Sequence, residues 1–335
     1  WHCASFIFPR EGLIDFSNKA ITRFLWYPSR KPKMKSLICQ NSKINGGFGA
    51  PNILLKIKAF RLMFLINLHN YSNLKCFSYF CRRLDTVRNK RIVSHANFFG
   101  EIIQAEKSVN MKIDKENISI LGHNFQRQKL STKIVYDTIL EKDSNRFLTR
   151  NKNMWKNLLQ NQDIDVAKFW PNNFSKFSDG QAKDIHFLFT NNALFTRNRI
   201  SKWDRSKNEF CKFCLTNNSR EKEDNLHAMV LCPRTFDFWN KISIIFQKYG
   251  VDLDLKGKIF GLENQEKSEI KHLLNSVLHV GHKSVWQTRG DLEKNKTIDV
   301  WKHFKTSLKN ILKIHNDFGQ DTILFNNLFQ FMINI

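Results

Sequence analysis

Apolar residues recur at helical spacing through most of the chain, and they mark where its helices should lie. Leu13, Phe16, Ala20 and Phe24 fall on one stripe of residues 12–26, which reads as a short amphipathic helix stopped at Tyr27-Pro28. A second helix is expected over roughly Pro51 to Leu68, where Leu54, Ile57, Phe60, Leu62, Phe64, Leu65 and Leu68 recur. Stretches near 95–106 and 131–142 predict two more. Ala182, Ile185, Phe189 and Ala193 trace a further helix, expected to pack against one in which Phe236, Trp239, Ile242, Phe246 and Tyr249 recur up to Gly250. Residues 264–287 and 297–316 are amphipathic as well. The pattern is that of a mainly α fold in four stretches. Residues 1–75 are helical, and 76–150 form a basic connector with some helix. Residues 151–250 form a small helical module around a cysteine-bearing loop, and 251–335 are C-terminal helices.

That loop, CKFCLTNNSREKEDNLHAMVLC, carries the strongest chemical signal. Cys211 and Cys214 stand in C-x2-C spacing, and His227 and Cys232 follow after a polar stretch. Two such pairs are what a metal-binding loop uses to bring four ligands to one ion. Three thiolates and one imidazole favour tetrahedral Zn²⁺ over Ca²⁺ or Mg²⁺. All four positions are filled by side chains, so the zinc is expected to be structural. Pro233 suits the first position of the helix that follows, which would put Cys232 at a helix mouth. A zinc with three thiolates bears one net negative charge, which Lys207, Lys212 and Arg234 are close enough in sequence to offset. His272, His279, His282, His303 and His315 have no cysteine or paired carboxylate at ligand spacing and read as surface or helix-packing residues.

Charge adds a second signal. The 335 residues hold 54 Lys or Arg against 30 Asp or Glu, a net charge of +24. Residues 1–100 carry 17 basic residues against only Glu11, Asp15 and Asp85. A basic half of this kind reads as a surface for a polyanion. Within it, Arg30, Lys31, Lys33 and Lys35 crowd beside Trp26 and Tyr27, the mix of cations for phosphate and aromatics for bases that single strands use. Arg197 and Arg199, just before the cysteine loop, are candidates for a second contact.

Other classes recede. Cys3, Cys39, Cys76 and Cys81 are scattered, which is no disulfide framework and favours a reducing, intracellular compartment. No secretory leader and no run of 18 apolar residues is present, and the best stretch, Ala59 to Leu68, is interrupted by Arg61; no membrane contact is expected. The first residue is Trp1 and the first methionine Met34, which reads as a piece of a longer protein. The Gly-rich GGFGAP at 46–51 lacks the Gly-Lys-Ser/Thr of a phosphate-cradling loop.

Two blocks resemble one family. Phe24-Leu25-Trp26, the basic run Arg30 to Lys35, Leu37, Gly46-Gly47-Phe48-Gly49-Ala50-Pro51 and Ala59 are similar to the thumb of LINE-type (non-LTR) retrotransposon reverse transcriptases. Phe195-Thr196-Arg197-Asn198-Arg199, Cys211, Cys214, Asp224, His227, Cys232-Pro233 and Trp239 resemble the zinc-binding region of the same proteins, in the same order. Phe195 stands where the family has Leu, and Asp224 where it more often has Glu. The resemblance implies a thumb-like segment over 1–75, a CCHC zinc region over 151–250, and a parent that is an RNA-directed DNA polymerase of target-primed integration. It implies RNA template and target DNA as partners, an upstream palm in the same polyprotein, and a location in nucleus and cytoplasm.

Polymerisation needs paired carboxylates holding two Mg²⁺ ions. No Asp-Asp pair occurs here, and Asp163/Asp165 and Asp252/Asp254 lack a strand–turn–strand setting. No catalytic residue is therefore assigned, Mg²⁺ is expected only in the parent's palm, and residues 1–335 alone should be inactive. Two alternatives stay open: a zinc-stabilised protein-interaction module without a nucleic-acid role, and a decayed, non-functional insertion.

Overall fold

Helices dominate, because the apolar spacing noted above is helical almost throughout. The computed structural model describes residues 11–25, 39–41, 47–70, 77–90, 98–114, 116–159, 165, 168–170, 172, 178–262, 269–297, 299–317 and 323–333. The fold is mainly α, and it divides into two compact units, Trp1–Arg150 and Asn151–Ile335. No helix among the described residues is long and apolar enough to cross a membrane.

In the first unit, helices α1 (Glu11–Leu25), α2 (Ile53–Asn70), α3 (Phe77–Lys90) and α4 (Phe98–Ser108) precede a small sheet. Leu62, Leu65 and Ile66 of α2 pack with Ile102 and Ile103 of α4 and with Leu84 of α3. The arginine that interrupts the apolar run is buried with them. Arg61 donates to Glu101 of α4 at 3.0 Å and lies over the Phe98 ring. The entry to α2 explains the Gly-rich turn. Phe48 and Ala50 donate backbone N–H groups to the Cys39 carbonyl, and a Cβ on Gly47 would collide with the Asn41 backbone. Gly49 has φ +68°, which an L side chain rarely adopts. Asn52 then caps α2, its Oδ1 accepting from the Leu55 amide at 3.1 Å.

Two expectations fail in this unit. The stripe Leu13, Phe16, Phe24 of α1 faces outward, Phe24 being 84% exposed, and Ile14, Ile21 and Leu25 turn inward instead. The helix carries two apolar stripes, and periodicity alone cannot choose between them. Nor are residues 76–150 a connector with some helix only. They contain α3, α4 and a three-stranded antiparallel meander, β1 (Lys112–Ile113), β2 (Asn117–Ile120) and β3 (His123–Gln126). Ile118 pairs with Phe125 and Ile120 with His123, so both isoleucines enter the core from one face. Strands this short carry too little alternation to read. Leu121-Gly122, both at positive φ, makes the hairpin turn without the usual Asn-Gly signal. Helix α5 (Thr132–Leu158) follows.

The second unit is organised around α11 (Glu269–Glu293). Helix α6 (Gly180–Thr190), capped by Asp179 Oδ1 on the Ala182 amide, packs along it, as does α12 (Val300–Asp317). The short helix α7 (Arg197–Ser201) precedes the cysteine loop and α8 (Lys212–Thr216) lies within it; α9 (Phe236–Lys248), α10 (Leu255–Phe260) and α13 (Ile323–Ile333) complete the unit. Where the spacing predicts α6 packed against α9, both helices pack on α11. Trp155 fills the base of the core, its indole donating to the Thr190 carbonyl at 2.8 Å and its ring meeting Phe189 and Phe260 edge-on.

Candidate metal centre

The two halves of the cysteine loop are closed by backbone. Phe210 bridges Lys222, Cys211 donates to the Glu221 carbonyl at 2.8 Å, and Glu223 donates to that of Glu209 at 3.0 Å. Between these arms the chain makes α8, with Cys211 at its N-cap and Cys214 in its first turn. The Cys214 amide donates to the Cys211 sulfur, so the C-x2-C spacing turns both thiols to one side. Asn218, at φ +58°, takes the left-handed position at which the chain leaves α8.

The other two ligands are set by an unusual turn. Asp224 Oδ1 accepts from the His227 amide at 2.7 Å and starts the segment. His227–Leu231 is a π-helical turn, and the Cys232 amide donates to the His227 carbonyl at 2.9 Å. Trp239 braces this turn from α9, its indole donating to the Met229 carbonyl at 2.9 Å. Pro233 opens a 3₁₀ turn ahead of α9, and the Arg234 amide donates to the Cys232 sulfur.

Cys211, Cys214, His227 and Cys232 are all buried, and their ligand atoms lie within 4.8 Å of one another. Cys211 Sγ is 3.8 Å from Cys232 Sγ, and Cys214 Sγ is 3.4 Å from His227 Nε2. The cluster can hold one metal ion. Among the described residues it is the one group of three or more such side chains that can. Its electrostatics ask for a cation. Accepting from Cys232 holds the Cys211 thiol down at about 3, while burial beside that thiolate pushes Cys214 up to about 11 and, with Cys211 accepting its proton, Cys232 higher still. Three thiolates cannot share this space unless a positive charge sits among them.

The surrounding charges are arranged differently from the sequence expectation. Arg234 acts on Cys232 and donates to the Ala228 carbonyl at 2.9 Å. Lys212 turns away to cap α11, reaching the Leu292 and Glu293 carbonyls and Asn295 Oδ1. Lys207 is exposed. Sequence reasoning missed Glu223, which is buried and ties the loop to the hub helix. Its Oε1 accepts from Arg289 Nε at 2.8 Å and from the Arg197 amide at 2.9 Å.

The predicted nucleic-acid contacts are placed only in part. Trp26, Tyr27, Arg30, Lys31, Lys33 and Lys35 lie outside the described residues. Arg197 is half-buried, and its guanidinium makes two 2.7 Å bonds to the Glu293 carboxylate, holding that acid below its usual range. Arg199 lies 5.3 Å from both the Phe195 and the Trp203 ring. His279 and His282 are fully buried against His186 of α6, which no spacing argument had singled out; the His282 ring stacks on it and the His279 ring lies tilted 33° to it. His303 pairs with Asp291 at 3.0 Å.

A scan against protein-family models gives no match to this chain, and a search of curated proteins gives none either.

Proposed function

We propose that this chain is the thumb-to-zinc-region part of a LINE-type reverse transcriptase, holding RNA and DNA for a polymerase palm that lies elsewhere in the protein, and that its metal is one structural Zn²⁺. A tetrahedral zinc with bonds of about 2.3 Å to sulfur and about 2.0–2.1 Å to nitrogen separates its ligands by about 3.8 Å (S–S) and about 3.6 Å (S–N). The observed 3.8 and 3.4 Å fit that shell. Thiolate-rich sets favour zinc over the hard cations.

One observation carries the family reading. The residues shared with the family beyond the four ligands gather on the loop that carries the ligands. Asp224 caps the His227 amide, Pro233 follows Cys232 directly, Trp239 bonds the turn between them, and the Arg197 amide meets Glu223. A chance set of cysteines would have no reason to bring these four positions together.

The test is binding of RNA and DNA over a salt series. Phosphate contacts release counterions, so log Kd should change with log salt by about 0.7–0.9 per contact. Lys31→Ala, Lys33→Ala and Lys35→Ala together should weaken binding to all sequences alike and flatten that slope by about two to three units. The same protein should incorporate no nucleotide on a primer–template with Mg²⁺ or Mn²⁺, having no paired carboxylates. The engagement of Arg197 by Glu293 favours the rival reading of an interaction module, in which basic residues serve the fold. Absence of salt-dependent binding would decide for that rival.

A further inference from the structure

Immediately before the metal loop the chain makes a short, heavily bonded turn that has no evident task in the core. Trp203 and Asp204 both donate to the Ile200 carbonyl at 2.9 Å, and Lys207 donates to the Asp204 carbonyl at 3.0 Å. Asp204 Oδ1 accepts from both the Ser206 amide and its hydroxyl, at 3.1 and 2.6 Å. The turn is therefore held in shape by its own backbone.

On it, Trp203 is 63% exposed. Such a ring is normally buried, because it carries a large apolar area. Here two neighbours hold it while most of it stays open to solvent. Phe195 meets it at 5.8 Å and 65°, and the Arg199 guanidinium sits 5.3 Å from its centre. Lys202, Arg205 and Lys207, its neighbours in sequence, are exposed and have no ion-pair partner within 4.0 Å among the described residues. Of the acids nearest in sequence, Glu209 pairs with Lys222 at 3.0 Å, and Asp204 is bound into the turn and acts on Lys207 only at longer range.

We propose that Trp203 is a stacking platform for an unpaired base of single-stranded nucleic acid, with Lys202, Arg205 and Lys207 receiving the flanking phosphates. The proposal rests on the nucleic-acid reading above and gives it a second contact site. A rigid indole face amid unpaired cations matches what a single strand offers, alternating base faces and phosphates. A duplex hides its base faces within the stack, and an apolar protein partner would gain nothing from three cations.

The test uses the full metal-loaded chain and a 12-nucleotide uridine RNA, with a hairpin duplex of equal charge as comparison. Trp203→Ala should lower single-strand affinity by about 5- to 150-fold, the range for one stacked base, while Trp203→Phe keeps most of it. Duplex affinity should not change. In the wild type, 5-iodouridine in the same RNA should crosslink to Trp203. Single-strand binding by Trp203→Ala equal to wild type overturns this inference and leaves the family reading standing, as does an equal loss on duplex. No binding by the wild type to either probe overturns both. If Trp203→Ala loses its metal, the crosslink decides, and its absence from Trp203 overturns the inference.

Discussion

The amide of Cys232 donates to the carbonyl of His227 across 2.9 Å, closing a π-helical turn between two of the four metal ligands. In an α-helix, residues five apart diverge by about 140° around the axis. The wider turn brings them back to one side, so the H-x4-C spacing works only because this bond forms. π-turns of this kind are uncommon and concentrate at functional sites.

That relationship makes the metal and the local fold interdependent. Cys214→Ser should lose the ion, and amide exchange over residues 195–250 should accelerate, since structural zinc supplies on the order of 10 kcal/mol of folding free energy in small sites. Wild-type protein purified without chelator should carry one zinc per chain by elemental analysis. A metal-free protein with the same exchange pattern would refute the assignment.

Glu223 supports the same centre from outside it. Its carboxylate is buried and takes the Arg289 guanidinium from α11. Glu223→Ala leaves Arg289 buried with only its 4.0 Å contact to Glu293, which should cost up to about 3–5 kcal/mol. Zinc transfer to a competing chelator should quicken in parallel. The double replacement Glu223→Met with Arg289→Met should recover much of the stability, because an apolar pair leaves no orphan charge. Equal chelation rates in wild type and Glu223→Ala would remove the strut from the account.

The contrast between these residues explains what could be read in advance. Cys211, Cys214, His227 and Cys232 were legible because their spacing is a local property of the chain, and a local turn realises it. The hub role of α11 was not. Its buried face includes Asn275, Ser276, His279, His282, Ser284, Thr288 and Arg289, polar types that a hydropathy pattern assigns to solvent. Ser276, Ser284 and Thr288 bond back to carbonyls one turn earlier in α11, while Asn275, His282 and Arg289 are satisfied by partners outside the helix, as Asn275 is by Asn172 and the Leu262 amide. Arg197 misled for the same reason: its charge was visible, and Glu293, 96 positions away, was not.

Arg61 and Glu101 make the corresponding case in the first unit, an ion pair with side chains 2% and 8% exposed. Glu101→Ala should destabilise that unit by about 3–5 kcal/mol. Arg61→Met, which removes the charge and keeps the stem over Phe98, should be better tolerated when Glu101 is changed to Gln as well. Urea unfolding of the wild type, Arg61→Met, Glu101→Gln and the double variant gives the coupling directly, and additive effects would mean the pair is incidental.

The strongest pH dependence should come from the second unit, where His186, His279 and His282 are enclosed together. His282 Nε2 donates to the Lys258 carbonyl at 2.8 Å, so its Nδ1 must accept, and His186 Nδ1 donates to it at 2.9 Å. His279 Nδ1 bonds Ser178 Oγ at 2.8 Å. Burial holds all three below the usual histidine range, His282 at about 3; neighbouring imidazoles add to the effect on His186 and His279, and Lys183 lowers His279 further. The pair Lys283–Asp179 lies on the same two helices. In the unfolded chain these histidines take up protons below about pH 6.5, and in the folded chain they do not. Their contribution is therefore whole above about pH 6.5 and is lost as pH falls, by about 1.4 kcal/mol per pH unit for each, or about 4 for the three. A unit of ordinary stability, about 5–15 kcal/mol, would be exhausted within about one to four pH units. His279→Asn keeps a partner for Ser178 and does not titrate, so it should reduce the slope of stability against pH by about 1.4 kcal/mol per unit. Urea unfolding of zinc-saturated protein between pH 7.5 and 5.0 measures both slopes. Identical slopes would mean that acid acts on this unit through other groups.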